Sequence, residues 1–250
     1  MLLLIDAGNT SIKWALVEDG AVPGVWVASG ALAHDDLAPG IWAAHQVERA
    51  LLSNVAGSTL RARLELALPA GVPHDWFVSQ PQLAGLRNGY RNPFQLGCDR
   101  FAAAIGARAL APGTALIVAT CGTATTIDAI TPDGLFLGGL ILPGLGLMAS
   151  SLARNTSQLP QVGAAAQIQP GFADNTDDAI INGCLTAQAG AIERACAALE
   201  AQYGAVRCIL SGGAAGFIES MLSPSLQHEK VANIVLIGLQ VAAHSRDKSC

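Results

Sequence analysis

Asp6, Ala7, Gly8, Asn9 and Thr10 follow directly on an apolar run, residues 1–5, and residues 11–17 then resume a strand-like pattern. A buried strand therefore delivers one carboxylate to its C-terminal end. The next residues add a flexible glycine, a side-chain amide and hydroxyls. Glycine lets the backbone approach a phosphate closely, and successive amides in a tight turn form an anion-binding concavity. Lys13, on the second strand, adds positive charge. The same residues also suit an ordinary hairpin turn with Asp6 at its rim, and the turn alone leaves both readings open. It is not a Walker P-loop, because no glycine run ending in Gly-Lys-Ser/Thr opens a helix here.

A second group surrounds Asp99. Asn92-Pro93-Phe94-Gln95-Leu96-Gly97-Cys98-Asp99-Arg100 leads into an alanine-rich segment, residues 101–110, that reads as a helix. An Asp at a helix start can simply cap free backbone amides. With Tyr90, Gly97 and Arg100 around the same turn, Asp99 could instead accept a proton from a substrate hydroxyl. Arg100 could grip a carboxylate or phosphate with its planar fork. A third group, Gly122-Thr123-Ala124-Thr125-Thr126, reads as a hydroxyl-rich turn between strands at 115–119 and 127–130 and repeats the opening theme. Ser211-Gly212-Gly213-Ala214 follows a strand at 208–210 and leaves room for a flat base or a phosphate.

These turns need elements to hold them. The first part of the chain reads as strands at 2–5, 12–17 and 25–29, helices at 43–52 and 58–67, and a strand at 76–78. After Pro112-Gly113 the pattern restarts. Strands at 115–119, 127–130 and 135–142 precede helices at 147–154 and 177–201, the latter with Ile180, Cys184, Ala187, Ala191 and Ala195 at helical spacing. A chain of 250 residues can form one large domain or two of roughly 110–140 residues. The restart places a boundary between residues 112 and 113.

Composition narrows the function. Hydrophobic residues make up 51% and charged residues 13%, with mean hydropathy +0.41, so a membrane protein must be weighed first. The uncharged stretch 134–153 is long enough to span a bilayer, but Gly138, Gly139, Pro143, Gly144 and Gly146 would break a lipid-facing helix. The N-terminus lacks a basic start and Asp6 interrupts its apolar run, which does not read as a signal peptide. A net charge of −5 argues against a broad nucleic-acid surface. Cys98, Cys121, Cys184, Cys196, Cys208 and Cys250 contain no Cys-x-x-Cys pair, which favours free thiols in a reducing cytoplasm. The scattered His34, His45, His74, His228 and His244 suggest no metal site.

Six motifs in order carry a resemblance that spacing arguments alone do not give: Asp6-x-Gly-Asn-Thr, Gly97-Cys-Asp-Arg100, Gly122-Thr-Ala-Thr-Thr-Ile-Asp128, Gly138-Gly-Leu-Ile-Leu-Pro-Gly144, Asn175-Thr176 and Ser211-Gly-Gly-Ala214. From Met1 to about Gly238 the chain resembles type III pantothenate kinases, within the acetate and sugar kinase/Hsp70/actin superfamily. The resemblance implies an α/β fold of two actin-like (ribonuclease H-like) lobes, 1–112 and 113–250, with an ATP cleft between them. It implies a cytoplasmic homodimer that phosphorylates pantothenate to 4'-phosphopantothenate, the first step of coenzyme A biosynthesis. By position, Asp6, Ala7, Gly8, Asn9, Thr10, Ser11, Ile12 and Lys13 would form the first phosphate loop, with Asp6 near Mg²⁺ and its waters. Thr123 would touch the ATP phosphates from the other lobe. Asp99 matches the general base; Tyr90, Gly97, Cys98, Asp99, Arg100 and Thr176 match pantothenate-binding positions, with Thr176 serving the partner subunit's substrate.

The chain departs from the pattern at Thr120, where many such kinases carry an acidic residue that helps hold a monovalent cation. A potassium or ammonium requirement is therefore less secure here, and its ligands are not assigned. Two other readings keep their place: a kinase of the same fold acting on a sugar or other small hydroxy compound, and an accessory factor in transcription. Tyr90 and residues 97–100 weigh against the first, and the acidic composition weighs against direct DNA binding in the second.

Overall fold

The computed structural model describes residues 1–156, 159–160 and 171–247; Cys250 lies outside the described residues. The chain divides into two compact units. The first comprises residues 1–113, 133–137 and 233–250, and the second comprises residues 114–132 and 138–232.

The first unit is built on a sheet of five strands, β1 (Leu2–Ala7), β2 (Ser11–Val17), β3 (Ala28–Ala33), β4 (Arg49–Asn54) and β5 (His74–Trp76), in the order β3-β2-β1-β4-β5. β1 lies at the centre, antiparallel to β2 and parallel to β4, so its leucines and isoleucine are buried on both faces. Helix α1 (Ser58–Ala67) covers one face, packing Leu60 and Leu64 with Trp42 against Leu3, Ile5, Ile12 and Leu52. A small hairpin, β6 (Gln82–Leu83) and β7 (Leu86–Asn88), precedes helix α2 (Cys98–Leu110).

The second unit begins with β8 (Ala115–Cys121), β9 (Ala124–Ile130) and β10 (Leu135–Pro143), whose first residues belong to the first unit and pair with β7. Helices α3 (Leu145–Asn155) and α4 (Thr176–Tyr203) follow, then β11 (Val206–Ser211), the short helix α5 (Ala215–Glu219) and β12 (His228–Lys230). Its strands run in the order β12-β11-β8-β9-β10. Leu185, Ala189, Ile192, Cys196 and Leu199 of α4 pack on Ile117, Ala119, Cys208 and Leu210.

The chain then returns to the first unit as α6 (Ile234–Asp247), which lies along α2 and reaches β1, β2 and β4. The two helices meet at glycines. A methyl group at Gly238 would collide with the Ala102 carbonyl oxygen, and one at Gly106 would stand 2.7 Å from the Ile234 oxygen. This spacing lets the backbones touch.

Several sequence expectations are corrected. Residues 43–52 are not a helix: the chain turns at 39–45 and then enters β4, because the run Ala50-Leu51-Leu52 is claimed by parallel pairing with β1. The strand expected at 25–29 is β3, three residues later, with Val25 and Val27 exposed; register against β2, Ser11 opposite Ala33, sets its position. The strand expected at 76–78 is β5, two residues earlier. Ala124, Thr125 and Thr126 belong to β9, so the second turn narrows to Gly122 and Thr123. On α4 the buried stripe is Ile180, Cys184, Gln188, Ile192 and Cys196, while Ala187 is exposed. The helix expected at 58–67 is α1, and α6 is an element that the sequence pattern does not predict.

Candidate active site

Strand register assembles the chemistry of the first unit. Asp6 is the fifth residue of β1, directly across from Lys13 on β2 and Ser53 on β4. Ser53 is fully buried, and its Oγ lies 3.3 Å from Cys98 Sγ. Cys98 opens α2, so this contact docks the helix N-terminus on β4 and brings Asp99 beside Asp6. The closeness shows in the proton affinities. Burial first, then the Asp99 charge, push Asp6 up to about 7, with Lys13 pulling the other way. Burial also raises Asp99, opposed by the backbone N–H and the charge of Arg100.

Asp99 is held from both sides. Its Oδ1 accepts a 2.8 Å hydrogen bond from Arg100 N. A Cβ at Gly97 would stand 2.7 Å from that same oxygen, so only glycine there leaves the carboxylate where it is. Arg100 is buried, donates from Nη1 to the Tyr90 hydroxyl at 2.8 Å, and lies 5.8 Å and 5.9 Å from the Tyr90 and Phe136 ring centroids. Tyr90 is itself fixed by its N–H to Asn88 Oδ1, 3.0 Å. The structure thus brings Asp6, Lys13, Tyr90 and residues 97–100 into one neighbourhood.

The phosphate-loop candidates fall into two kinds. Ala7 and Ile12 have their side chains in the core, so only their backbone is open to a ligand, whereas Asn9 and Thr10 are exposed. The turn is closed by Gly8 N donating to Ser11 O at 3.1 Å. His34 Nε2 stands 2.8 Å from Gly8 O.

In the second unit, Gly122 N donates to Ala124 O and Gly144 N to Thr123 O, both at 3.0 Å. Behind this turn sits Gln188, fully buried on α4. Its Oε1 accepts from Thr125 Oγ1 at 2.8 Å, and its Nε2 donates to Pro143 O at 3.1 Å and faces Met148 Sδ at 3.4 Å. Thr176 is the first residue of α4, exposed, behind the N-cap Asn175. Twelve residues of helix, about 18 Å, separate it from Gln188. With Met148, Leu152, Asn175 and Ile180 it lines a cavity of about 660 Å³.

Sequence reasoning missed Ser53, His34 and Gln188. Gln188 had a signal, a polar residue inside the apolar stripe at 180, 184, 192 and 196. Ser53 and His34 had none, since their roles come from strand register. Cys98, Cys121, Cys184, Cys196 and Cys208 are free thiols. Among the described residues no helix is long and apolar enough to cross a membrane, and no cluster of three or more His, Cys, Asp or Glu is arranged to hold a metal ion.

Compared with known proteins, residues 2–198 match the family model described as type III pantothenate kinase. The chain belongs to the type III pantothenate kinase family. A relative of that name from Janthinobacterium sp. (strain Marseille) is 53% identical over an alignment 262 positions long that covers 100% of both chains. Another, from Herminiimonas arsenicoxydans, is 54% identical over 253 and covers 97% of each. Among solved structures, a Campylobacter jejuni protein assigned to the Baf family of transcriptional activators aligns with TM-score 0.62 at 19% identity, covering 99% of this chain and 98% of its own. A glucokinase from an Antarctic psychrotroph aligns at 0.53 and 13%, covering 97% and 98%. At those identities the likeness is one of fold: this chain has the two-sheet α/β architecture seen in sugar kinases.

Proposed function

We propose that this chain transfers the γ-phosphoryl group of ATP to the primary hydroxyl of pantothenate, giving 4'-phosphopantothenate and opening coenzyme A biosynthesis. Family membership supports the substrate. The observation that carries the residue roles is the pairing of Asp6 with Asp99 beside Lys13, Tyr90 and Arg100. In this reading Asp99 aligns the acceptor hydroxyl and takes its proton as the new O–P bond forms and the bond from the γ-phosphorus to the bridging oxygen of ADP breaks. Burial raises its proton affinity, which suits that task. A loose transition state asks mainly for positioning and charge neutralisation, so Asp99 need not be strongly basic. Residues 6–13 and Thr123 would hold the nucleotide phosphates, and Tyr90, residues 97–100 and Thr176 would hold pantothenate.

Two neighbouring carboxylates, Asp6 and Asp99, fit a hard cation, and Mg²⁺ keeps several waters and so needs few protein ligands. Asp6 would hold it through water. Mg²⁺ bound to the nucleotide supplies neutralisation of the phosphate charge. For a monovalent cation, Thr120 and Thr126 are direct ladder partners whose side chains share a face. Thr126 Oγ1 is buried without a hydrogen-bond partner among the described residues. Two neutral hydroxyls would hold such an ion weakly. A homodimer is part of the proposal: exposed Thr176 would serve the partner's pantothenate.

The test is an acceptor screen with MgATP across pantothenate, hexoses and small polyols. Phosphorylation of pantothenate in preference to sugars is expected; no product with pantothenate in any monovalent salt would overturn the assignment.

A further inference from the structure

The turn that follows β1 is fastened from outside by a histidine that no motif in the sequence marks. Ser11 pairs with Ala33 in the β2–β3 ladder, so the next residue, His34, emerges beside the turn formed by residues 8–11. Its Nε2 lies 2.8 Å from Gly8 O. A carbonyl oxygen can only accept, so Nε2 carries the proton and the ring donates. The segment bearing His34 is held in turn by α1: Arg63 Nη2 donates to His34 O at 2.7 Å and to Leu37 O at 3.5 Å.

The peptide linking Gly8 to Asn9 is planar and trans, so its C=O and N–H point in opposite directions. Fixing the Gly8 oxygen toward His34 therefore fixes the Asn9 N–H away from it. Without a Cβ, Gly8 puts little steric barrier against turning this peptide over, which would present a carbonyl oxygen where an amide donor is wanted. The imidazole biases the turn toward one of these two orientations.

We propose that His34 is a positioning residue for nucleotide binding, which holds the Gly8–Asn9 peptide with its N–H turned to the phosphates. This rests on the assignment of residues 6–13 to the phosphate loop. His34 makes no contact with the reacting atoms in this scheme. It acts through the Gly8 carbonyl alone.

Three proteins test it: wild type, His34→Leu, which removes the donor, and His34→Gln, whose amide N–H keeps a donor at similar reach. Affinity for MgADP is measured by calorimetry, KM for MgATP and for pantothenate by steady-state kinetics, and folding by thermal melting. Loss of one hydrogen bond of ordinary strength predicts about a fivefold weaker affinity for MgADP and about a fivefold higher KM for MgATP in His34→Leu. KM for pantothenate should stay within about twofold, and His34→Gln should regain most of the nucleotide affinity. Unchanged MgADP affinity in His34→Leu would overturn the proposal. So would an equal rise in both KM values, or a folded His34→Gln as impaired as His34→Leu. If wild type binds MgADP but leaves pantothenate untouched, the acceptor assignment falls while calorimetry still decides the role of His34. If wild type binds no MgADP, both fall.

Discussion

Asp6 allows a quantitative test. Its pKa stands at about 7 in the folded chain against an ordinary value of 3.8, because burial and the neighbouring Asp99 charge disfavour its ionised form. The folded state therefore binds the proton more tightly than the unfolded state. The resulting stabilisation is complete below pH 3.8 and is lost as pH rises through about 7. A rise of that size corresponds to about 4 kcal/mol. Part of Asp6 remains open to water, and screening reduces this to about 2 kcal/mol. Asp6→Asn keeps the shape and removes the charge, so it should melt higher than wild type by about 4–8 °C at pH 8 in metal-free buffer. The gap should be small near pH 4, widen up to about pH 7, and then flatten. Thermal melts of both proteins across pH 4–9 with a chelator present provide the measurement. An Asp6→Asn protein that is less stable than wild type at pH 8, or a gap that does not change with pH, would refute the electrostatic reasoning. The same variant should lose kinase activity, since the carboxylate that costs the empty protein stability is the one proposed to face Mg²⁺.

Other outcomes follow from single contacts. Asp99→Asn should lower turnover by about 10²- to 10⁴-fold while melting no lower than wild type, and a mutant as active as wild type removes Asp99 from its role. Gln188→Leu leaves the Thr125 hydroxyl buried without its acceptor and should cost about 1–3 kcal/mol; adding Thr125→Val should recover part of that loss in a double-mutant cycle, and strict additivity of the two changes would deny the link. With Thr120 where an acidic group is common, rates in sodium and potassium chloride should agree within about threefold, since neutral hydroxyls attract a cation weakly. A tenfold potassium stimulation would show that other ligands hold the ion. Gly238→Ala drives a methyl group into the Ala102 carbonyl and should destabilise the protein by about 1–3 kcal/mol in chemical denaturation. An unchanged midpoint would contradict the close α2–α6 packing.

Much of the architecture was legible because local chemistry and tertiary demand agreed. Helix α1 was readable from its own residues, and the ends of β1, β2 and β8 were marked by turn formers. The stretch 43–52 shows the opposite case: Ala50, Leu51 and Leu52 satisfy either a buried helix or a buried strand, and only the presence of β1 alongside decides. Small residues misled in a different way. β3 reads Ala-Ser-Gly-Ala-Leu-Ala, with no apolar alternation, and exists because β2 offers it a register. At the site, the motif residues 6–13 and 97–100 were visible as turns, but that they meet depends on Ser53 touching Cys98 across 45 positions of sequence. Residues that support others through space, such as His34 and Gln188, leave little mark in a linear pattern.

The return of α6 to the first unit has a consequence for synthesis. β1 leads the order of translation, yet the helix that covers its sheet beside α2 is made more than 200 residues later. Residues 138–232 of the second unit form one continuous stretch that is complete before α6 exists. On a ribosome adding about 5–20 residues per second, β1, the strand that carries Asp6, waits roughly 10–50 s for that helix. The unit begun first is thus finished last, and during that interval the apolar face that α6 will cover is the surface a chaperone would meet.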